Sequence, residues 1–414
     1  MKQFNGPKVG IEKINVYGSS MCLSQEDLAR FRGRDPEKTV KDFSIQTRSL
    51  NPPYEDTVTM GANAARPMLT QEDINSIGLL IVGTEGSIDF GKPISTNIHS
   101  ALGLQPNCRS YETKHACYSG VAALDSAINW IASGLNKGKK ALIIASDFSR
   151  KHFQKDHEFV LGGAASAILV SDNPQVVEFE LQHKGTWTAD VYDTFRPSAT
   201  IEMGNNEVSL FAYQDAVEGA LDDYLRSFEG TIDLNTYFKS HIYHMPFPQM
   251  AFVAHRVLCQ KMAITKKSEI QEHFNRKVAP TFAYSQRVGA AYGASNFVSL
   301  CGLIDTSSDL KACDRISFFS YGSGCIGEFY SAKLMENAAH VVGAMKIEEN
   351  LNARMQVTVA QYEEIENLRE SYIERATYVP DFTIADHWFK KHYEGKELLY
   401  LKEVNNFYRK YAWS

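Results

Sequence analysis

Apolar runs and amphipathic segments alternate along the first half of this chain. Four segments have the composition of strands, at 9–17, 78–84, 141–146 and 162–170. The last three are apolar nearly throughout, as in strands that are covered on both faces of a sheet. Helices are predicted between them at 57–69, at 95–102 with Ser95 or Thr96 as the N-cap, and at 117–136. This alternation predicts an α/β protein with a mainly parallel sheet.

The second half repeats the alternation before the character of the sequence changes. It predicts strands at 241–244, 315–321 and 328–333, and helices at 208–228, 248–262, 269–278 and 289–303. After about residue 340, charged and aromatic side chains replace the glycine and alanine of the earlier segments. We therefore divide the chain into two similar halves, 1–175 and 176–340, and a C-terminal appendage, 341–414, that packs on them.

Composition argues against several classes of protein. The chain has 414 residues, enough for two halves that each build a core, and its 44% apolar and 22% charged residues are typical of folded proteins. A net charge of −6 argues against nucleic acid as the main partner. No segment is apolar for long enough to span a membrane, and the N-terminus lacks the apolar core of a signal peptide. We therefore expect neither a nucleic-acid nor a membrane partner.

The cysteines favour a reducing compartment. The seven cysteines are scattered and odd in number, which does not suit a disulfide framework, so we expect a cytoplasmic protein. No spacing of cysteine and histidine resembles a zinc site, so we expect no metal.

One cysteine has a context that suits a nucleophile. Cys117 follows a short strand-like segment and opens the predicted helix at 117–136, among the small residues Ala116, Ser119 and Gly120. Because the N-terminus of a helix stabilises a thiolate, we expect the pKa of Cys117 to be lowered. Such a thiolate would form a covalent intermediate on sulfur. The alternative is a cysteine that only packs as a small apolar side chain.

Two further candidates lie where predicted strands end, at the edge of the sheet that lines a functional crevice. Glu85 follows the strand at 78–84, where desolvation would raise its pKa and suit it to proton abstraction. A solvated loop glutamate fits the same pattern equally well. His244 ends the strand at 241–244 and is placed to donate to a developing alkoxide or a thioester carbonyl, with His241 and His255 as nearby alternatives.

A glycine-containing turn follows the predicted strand at 315–321. Tyr321, Gly322, Ser323 and Gly324 would expose backbone N–H groups and let a substrate approach the chain closely. A plain turn between two strands has the same composition.

Four short motifs occur in a fixed order along the chain. They are Gly83-Thr84-Glu85-Gly86, Ala116-Cys117-Tyr118-Ser119-Gly120, Tyr243-His244-Met245-Pro246-Phe247 and Phe319-Ser320-Tyr321-Gly322-Ser323-Gly324. Together they resemble the motifs of the 3-hydroxy-3-methylglutaryl (HMG) thioester synthases, and segments 88–92 and 286–289 resemble the bacterial polyketide β-branching branch of that family. The resemblance implies the thiolase fold, with two duplicated βαβαβαββ-type halves in a five-layer αβαβα core.

The resemblance also implies a reaction. Cys117 would accept an acetyl group as a thioester, Glu85 would remove a proton from its methyl group, and His244 would polarise the β-ketone that the new carbanion attacks. The acceptor chain would be held on an acyl carrier protein. The enzyme would be a homodimer that needs no cofactor, since its substrates are thioesters of coenzyme A or phosphopantetheine. Around the substrate the resemblance places Tyr321, Gly322, Ser323, Ala290, Val160 and Tyr192.

The chain departs from the family pattern on the acceptor side. Ala290 stands where the family has asparagine, which removes an amide that would contact the acyl thioester. Glu158-Phe159-Val160 stands where Glu-Pro-Thr or Glu-Pro-Ser is usual, which removes a hydroxyl. The helix after His244 lacks the lysine with which relatives grip coenzyme A, a loss that a carrier-protein substrate would tolerate. These changes predict a bulkier or less polar acceptor, or a reaction that stops short of the usual product.

Two other functions stay open at the level of the sequence. A Claisen-type ketoacyl synthase of the thiolase superfamily usually combines Cys and His with Asn, and Ala290 weighs against that set. A degenerate homologue that binds acyl carriers without turnover would have no need of Cys117, Glu85 and His244 together. For carrier docking, six basic residues are candidates by position: Lys114, Arg150, Lys151, Lys155, Arg256 and Lys261.

Overall fold

Strands and helices alternate along the chain, as the apolar pattern predicts. The computed structural model describes residues 6–414. The strands are β1 (Gly10–Tyr17), β2 (Met21–Ser24), β3 (Thr47–Leu50), β4 (Ile77–Gly83), β5 (Arg109–Thr113), β6 (Lys140–Phe148), β7 (Gly163–Ser171), β8 (Val177–Thr188), β9 (Thr194–Phe195), β10 (Met203–Gly204), β11 (Ser240–Tyr243), β12 (Arg315–Gly322), β13 (Ile326–Leu334), β14 (Met355–Val357), β15 (Leu399–Asn405) and β16 (Tyr408–Trp413). The α-helices are α1 (Gln25–Phe31), α2 (Pro36–Phe43), α3 (Thr57–Ala65), α4 (Gln71–Ser76), α5 (Ile94–Ala101), α6 (Ser119–Ala132), α7 (Asn206–Arg226), α8 (Leu234–Tyr237), α9 (Ala251–Lys261), α10 (Lys267–Lys277), α11 (Phe282–Val288), α12 (Ser295–Thr306), α13 (Ala338–Gly343), α14 (Ile347–Asn352), α15 (Val359–Ser371) and α16 (Ile384–His392).

The large sheet consists of two copies of one strand order. Nine strands pair in the order β11-β12-β13-β8-β1-β7-β6-β4-β5. From β1 outwards, the pairs with β7 and β6 are antiparallel, and those with β4 and β5 are parallel. From β8 outwards, the pairs with β13 and β12 are likewise antiparallel, and β11 pairs in parallel with β12. Within residues 6–414, this second series has no counterpart of β5. Because only two residue pairs join β1 to β8, the two series are separate half-sheets, as the predicted duplication requires.

Helices lie on both sides of each half-sheet and make five layers. Apolar residues of α3 and α5 pack on one face of β4, β6 and β7. Helices α6 and α12 fill the space between the half-sheets, in the same core as the opposite faces of β4 and β6 and one face of β12. The other face of β12 packs against α7 and α9. Cover on both faces explains why the strand segments are apolar nearly throughout.

The prediction of a mainly parallel sheet is wrong. Three of the eight strand pairs in the large sheet are parallel, β4 with β5, β4 with β6 and β11 with β12, and the others are antiparallel. Strand β7 returns beside β6, and β13 returns beside β12 after the turn that contains Ser323. An antiparallel strand that is buried on both faces has the same apolar composition as a parallel one, so the sequence pattern did not reveal its direction.

Several predicted helix boundaries also change. Helix α6 begins at Ser119 rather than at Cys117 and ends at Ala132, and Pro93 rather than Ser95 or Thr96 is the N-cap of α5. The helix predicted at 289–303 begins only at Ser295, as α12, and the preceding helix α11 ends at Val288, just before Gly289, which has φ +72°. A Cβ on Gly289 would lie 2.3 Å from the carbonyl oxygen of Leu161, so glycine is required there by close contact between two backbones.

The C-terminal residues are joined to the N-terminal half through a second sheet. Strand β14 pairs in parallel with β2, which pairs antiparallel with β3. Tyr393, which follows α16, packs edge-on against the buried Tyr54 and donates to Glu55. The division at residues 175 and 340 stays a prediction. None of the helices within residues 6–414 combines the length and the apolar character that a membrane span needs.

Candidate active site

Cys117 lies just before α6, in a loop that packs against the turn after β12. Tyr118 is the N-cap of α6, and Ala116 has a positive φ of 41°. A Cβ on Gly322 would lie 2.6 Å from the carbonyl oxygen of His115 and 2.6 Å from Cβ of Tyr118. The absence of a side chain at Gly322 therefore lets the loop of the C-terminal half close against the loop that carries the thiol.

The thiol of Cys117 is in contact with Glu85. The Sγ atom lies 3.5 Å from Oε2 of Glu85, within the range of an S–H···O hydrogen bond. Glu85 lies two residues after Gly83, the last residue of β4. Its other carboxylate oxygen, Oε1, lies 3.2 Å from Nη2 of Arg196. The carboxylate thus bridges the thiol and a guanidinium group.

A second buried carboxylate shapes the loop that carries Glu85. Asp147, near the end of β6, accepts three hydrogen bonds at Oδ1: from the hydroxyl of Thr84 at 2.7 Å and from the backbone N–H groups of Glu85 at 2.9 Å and Gly86 at 3.0 Å. Its Oδ2 is buried and has no hydrogen-bond partner among residues 6–414. We did not predict Asp147, although a charged residue inside the apolar segment of β6 was a visible signal.

The electrostatics of the thiol differ from our expectation. Burial and then the negative charges of Glu85 and Asp147 raise the pKa of Cys117 well above its ordinary value. The predicted lowering is wrong, because α6 begins only at Ser119, after Cys117, and the sulfur lies beside a carboxylate, 3.5 Å from Oε2 of Glu85. Burial raises the pKa of Glu85 as predicted, against the opposing effect of Arg196, and burial and Glu85 raise the pKa of Asp147 to about 8.

Arg196 connects the catalytic candidate Glu85 to a wider network. Its Nε donates to Oε2 of Glu202 at 2.7 Å, and Oε1 of Glu202 lies 3.4 Å from Nε2 of His152. The guanidinium carbon lies 5.9 Å from the ring centre of Tyr292, whose hydroxyl is 2.7 Å from Oγ of Ser149. We assigned Arg196 no role from the sequence, because its contact with Glu85 depends on the course of the segment between β8 and α7.

His244 is a neutral, buried imidazole. Burial lowers its pKa to about 3, and neither ring nitrogen has a hydrogen-bond partner among residues 6–414. The backbone N–H donates to the carbonyl of Phe319 at 2.6 Å, and the backbone carbonyl accepts from the hydroxyl of Tyr213 at 2.7 Å. The ring is inclined by 29° to that of Tyr321, with 6.4 Å between centres. Two unpaired ring nitrogens in a fixed position can be satisfied by a substrate.

The turn at 321–324 is held by an aspartate that we had not singled out. Asp193 is fully buried and accepts from the hydroxyl of Tyr321 at 2.7 Å and from the backbone N–H of Gly324 at 2.9 Å. Tyr192, its neighbour and a predicted substrate contact, is instead 72% exposed and packs edge-on against Phe195.

The two positions that depart from the family pattern meet in space. The backbone N–H of Ala290 donates to the carbonyl of Val160 at 3.1 Å. Glu158, two residues earlier, is buried and pairs with Arg32 at 2.9 Å. The segment at 158–160 is therefore a fixed wall rather than a mobile loop, and its backbone is hydrogen-bonded to the segment that carries Ala290.

Two family models match this chain. One, described as hydroxymethylglutaryl-coenzyme A synthase N terminal, covers residues 6–174, and the other, described as the C terminal of the same enzyme, covers residues 252–413. The chain belongs to the hydroxymethylglutaryl-coenzyme A synthase family. The resemblance carried by the four motifs is thus confirmed.

Individual relatives cover almost the whole of this family member. The polyketide biosynthesis 3-hydroxy-3-methylglutaryl-ACP synthase PksG of Bacillus subtilis is 36% identical over 98% of this chain and 99% of its own. The hydroxymethylglutaryl-CoA synthase of Enterococcus faecalis is 30% identical over 86% of this chain and 90% of its own. The HMG synthase of the curacin biosynthetic pathway, solved in complex with acetyl donor-ACP, superposes with a TM-score of 0.94 at 36% identity and covers 98% of this chain and 100% of its own.

Membership of the family confirms the predicted fold and the class of chemistry. The HMG synthases have the thiolase fold, and the duplicated half-sheets and five layers described above are those of this chain. The chain is an acyltransferase that forms a carbon–carbon bond.

Proposed function

We propose that this HMG synthase adds an acetyl-derived carbon to the β-ketone of a chain held on an acyl carrier protein, the reaction of polyketide β-branching. PksG is named for polyketide biosynthesis and a carrier-bound product, and the curacin enzyme binds a donor carrier protein; both are similar to this chain over 98% of its length. The observation that carries the proposal is the contact of 3.5 Å between Sγ of Cys117 and Oε2 of Glu85, because it joins a nucleophile to a base.

In the first step Cys117 takes the acetyl group. The thiol is neutral at rest, since burial and two carboxyl groups raise its pKa. As sulfur attacks the acetyl thioester, its proton passes to Glu85, which returns it to the departing carrier thiol. The products are an acetyl thioester on Cys117, a free carrier thiol and an ionised Glu85.

In the second step Glu85 removes a proton from the acetyl methyl group. A desolvated carboxylate is a stronger base than one in water, and Arg196 at 3.2 Å holds it in place. The enolate carbon attacks the β-carbonyl of the acceptor, whose oxygen becomes an alkoxide. His244 donates to this oxygen through one of its unpaired ring nitrogens, and water then releases the product from Cys117.

The wall at Val160 and Ala290 selects the acceptor. The carbonyl of Val160 is occupied by the N–H of Ala290, and neither side chain offers a hydrogen bond. The acceptor side is therefore less polar than the family pattern, which favours an acceptor with a bulky apolar chain. Tyr321, Gly322 and Ser323 line the opposite side, next to His115 and Tyr118.

The partners follow from the same chemistry. Both substrates are phosphopantetheine thioesters on carrier proteins, and the enzyme needs no cofactor and no metal for the reaction. Two of the six basic candidates for docking are already paired, Lys151 with Glu370 and Lys261 with Glu218, which leaves Lys114, Arg150, Lys155 and Arg256 as the better candidates. The enzyme is a cytoplasmic homodimer that associates through the outer edge of β5, an end strand of the large sheet that pairs on this side with no other strand of residues 6–414.

A reconstituted condensation tests this function. The protein is incubated with an acetyl-carrier protein and a β-ketoacyl-carrier protein, and the acceptor is measured by intact mass spectrometry. The proposal requires an increment of one acetyl group plus one water on the acceptor. Extension that needs a malonyl donor and releases carbon dioxide would instead establish the Claisen reaction, and an unchanged acceptor with both donors would establish a non-catalytic homologue.

A further inference from the structure

A cluster of buried histidine and cysteine side chains lies between β11, α9 and α10. His255 and Cys259 are one turn apart on α9, and His273 faces them from α10. One donor atom of each residue lies within 4.8 Å of one donor atom of each of the others. All three residues are at most 3% exposed. None of them takes part in the reaction proposed above.

The outer nitrogens of both histidines are already engaged. Nδ1 of His255 lies 3.0 Å from the hydroxyl of Tyr243, and Nε2 of His273 lies 3.1 Å from Oδ1 of Asn235. The inner nitrogens, Nε2 of His255 and Nδ1 of His273, face each other at 2.8 Å. Histidines that bind a metal have this arrangement: one nitrogen points to the ion, and the other donates to a polar group that fixes the ring.

A fourth donor lies beside the cluster. The ring of His241, on β11, has its centre 5.6 Å from that of His255 and 6.2 Å from that of His273. Nδ1 of His241 is 2.6 Å from Oγ of Ser317, and its Nε2 is fully buried without a hydrogen-bond partner among residues 6–414. A buried, unpaired ring nitrogen is costly unless something binds it.

We propose that His255, Cys259 and His273, with His241 as the fourth ligand, bind one Zn²⁺ ion. Three imidazoles and a thiolate supply four nitrogen and sulfur ligands, the ligand types and the number that a closed tetrahedral zinc site requires. Zinc–nitrogen bonds of about 2.0–2.1 Å require the contact between Nε2 of His255 and Nδ1 of His273 to widen by roughly 0.5 Å.

The protons balance on binding. In the metal-free cluster Nε2–H of His255 donates to Nδ1 of His273, and the hydroxyl of Tyr243 donates to Nδ1 of His255. When zinc binds Nε2 of His255, that proton moves to Nδ1 and is donated to the oxygen of Tyr243. Cys259 loses its proton to solvent, so one proton is released for each ion bound.

Two cationic groups of α10 oppose the ion. Burial is the main cause of the lowered pKa values of the three histidines, and the ammonium group of Lys277 lowers each pKa further, as Arg276 does for His273. Lys277 also donates to the carbonyl of Asn235 at 2.9 Å. The thiolate of Cys259 is the compensating negative charge. Loss of Cys259 should therefore weaken zinc binding more than loss of any of the histidines.

The site would fasten α9 and α10 to β11, the strand that ends immediately before His244. We did not expect a metal from the sequence because the four ligands lie on three separate elements. The signal within one element was the spacing of four residues between His255 and Cys259, which puts both side chains on one face of a helix.

Cobalt substitution tests the site through the thiolate. Tag-free full-length protein is stripped with a chelator, titrated with Co²⁺ or Zn²⁺, and followed by absorption and by metal analysis. Wild type should bind one ion per chain and show the near-ultraviolet sulfur-to-cobalt charge-transfer band. The band should disappear in Cys259→Ala, while Cys301→Ala, which removes a buried cysteine of α12, and Cys117→Ser should keep it.

A second variant shows whether loss of metal binding in Cys259→Ala could come from misfolding. His273→Gln keeps a polar side chain beside Asn235, and Zn²⁺ should raise the Tm of wild type but not of this variant. Wild-type protein that retains no zinc at equimolar metal, or a charge-transfer band that survives in Cys259→Ala, would overturn the proposal. These outcomes do not depend on the condensation assay, so the zinc site and the proposed reaction can fail separately.

Discussion

At the scale of single residues, the main feature of the site is a thiol and a carboxyl that share one proton. Glu85 and Cys117 are both partly buried, and burial and then the charge of Glu85 raise the pKa of the thiol. In the proposed reaction the thiol is therefore not ionised in advance. Sulfur attacks the thioester while its proton passes to Glu85.

Glu85→Gln separates the two uses of the carboxylate. The amide keeps the size of the side chain but cannot remove a methyl proton, so condensation should fall by at least about 100-fold, the usual contribution of a positioned base. Acetylation of Cys117 should be slowed but still reach completion. Intact mass spectrometry of the enzyme measures acetylation, and intact mass spectrometry of the acceptor carrier protein measures condensation. Normal condensation by the variant would remove Glu85 from its role.

Arg196 sets the pH range in which the base works. Its positive charge opposes the rise in the pKa of Glu85, so Arg196→Met should raise that pKa further. Glu85 must be ionised to act as a base, and the acidic limb of the pH–rate profile should consequently move to higher pH. Arg226→Met, at an exposed position of α7, serves as the control and should leave the profile in place. An acidic limb that stays at the wild-type pH in Arg196→Met would show that the guanidinium does not act on the base.

At the scale of elements, the sequence predicted the positions of strands and helices better than the directions in which the strands run. Cys117, Glu85 and His244 were found because each lies at the end of a predicted strand or the start of a predicted helix, a local signal. Asp147 and Arg196 were not assigned roles, since their importance comes from contacts between distant segments. The antiparallel return of β7 and β13 was missed for the same reason, because direction is a property of the pairing rather than of the strand.

The break between α11 and α12 is the element-level feature that shapes the acceptor wall. Gly289→Ala should lower the free energy of unfolding by about 2–4 kcal/mol, since a Cβ there meets the carbonyl of Leu161 and the backbone has a positive φ. Gly103→Ala is the matched control: its φ is +66° with no atom within 4 Å of the added Cβ, so it should cost about 1–2 kcal/mol. Denaturant midpoints compare the two, and equal losses would contradict the steric argument.

At the scale of the whole molecule, the site is assembled from two copies of one architecture. The N-terminal half supplies Cys117 and Glu85, and the C-terminal half supplies His244 and the turn at 321–324. The two halves share one architecture, but each carries different candidate residues of the site. The C-terminal residues then fasten to the N-terminal half through the buried carboxyl of Glu55, which accepts from Tyr17, Ser19 and Tyr393.

Tyr393→Phe tests that attachment. Loss of one donor to a buried carboxyl should cost about 1–3 kcal/mol of stability. Burial raises the pKa of Glu55 in the folded protein, and Tyr393 opposes this rise by stabilising the ionised form. Glu55 therefore lowers the stability of the folded protein more and more as the pH rises above the pKa that Glu55 has in the unfolded chain. Because the variant has the higher folded pKa, the difference in stability between variant and wild type should widen as the pH rises. Tyr408→Phe, at a residue that is 75% exposed, should match wild type at every pH; a constant difference for Tyr393→Phe would refute the link to Glu55.

The most direct test of the whole account is the mass of the enzyme after incubation with acetyl-carrier protein. Wild type and Glu85→Gln should each gain one acetyl group, and so should Cys313→Ala, which removes an exposed thiol. Cys117→Ala should gain none. Wild-type protein that stays unmodified, or an acetyl increment that persists in Cys117→Ala, would contradict the assignment of Cys117 as the residue that carries the acetyl group.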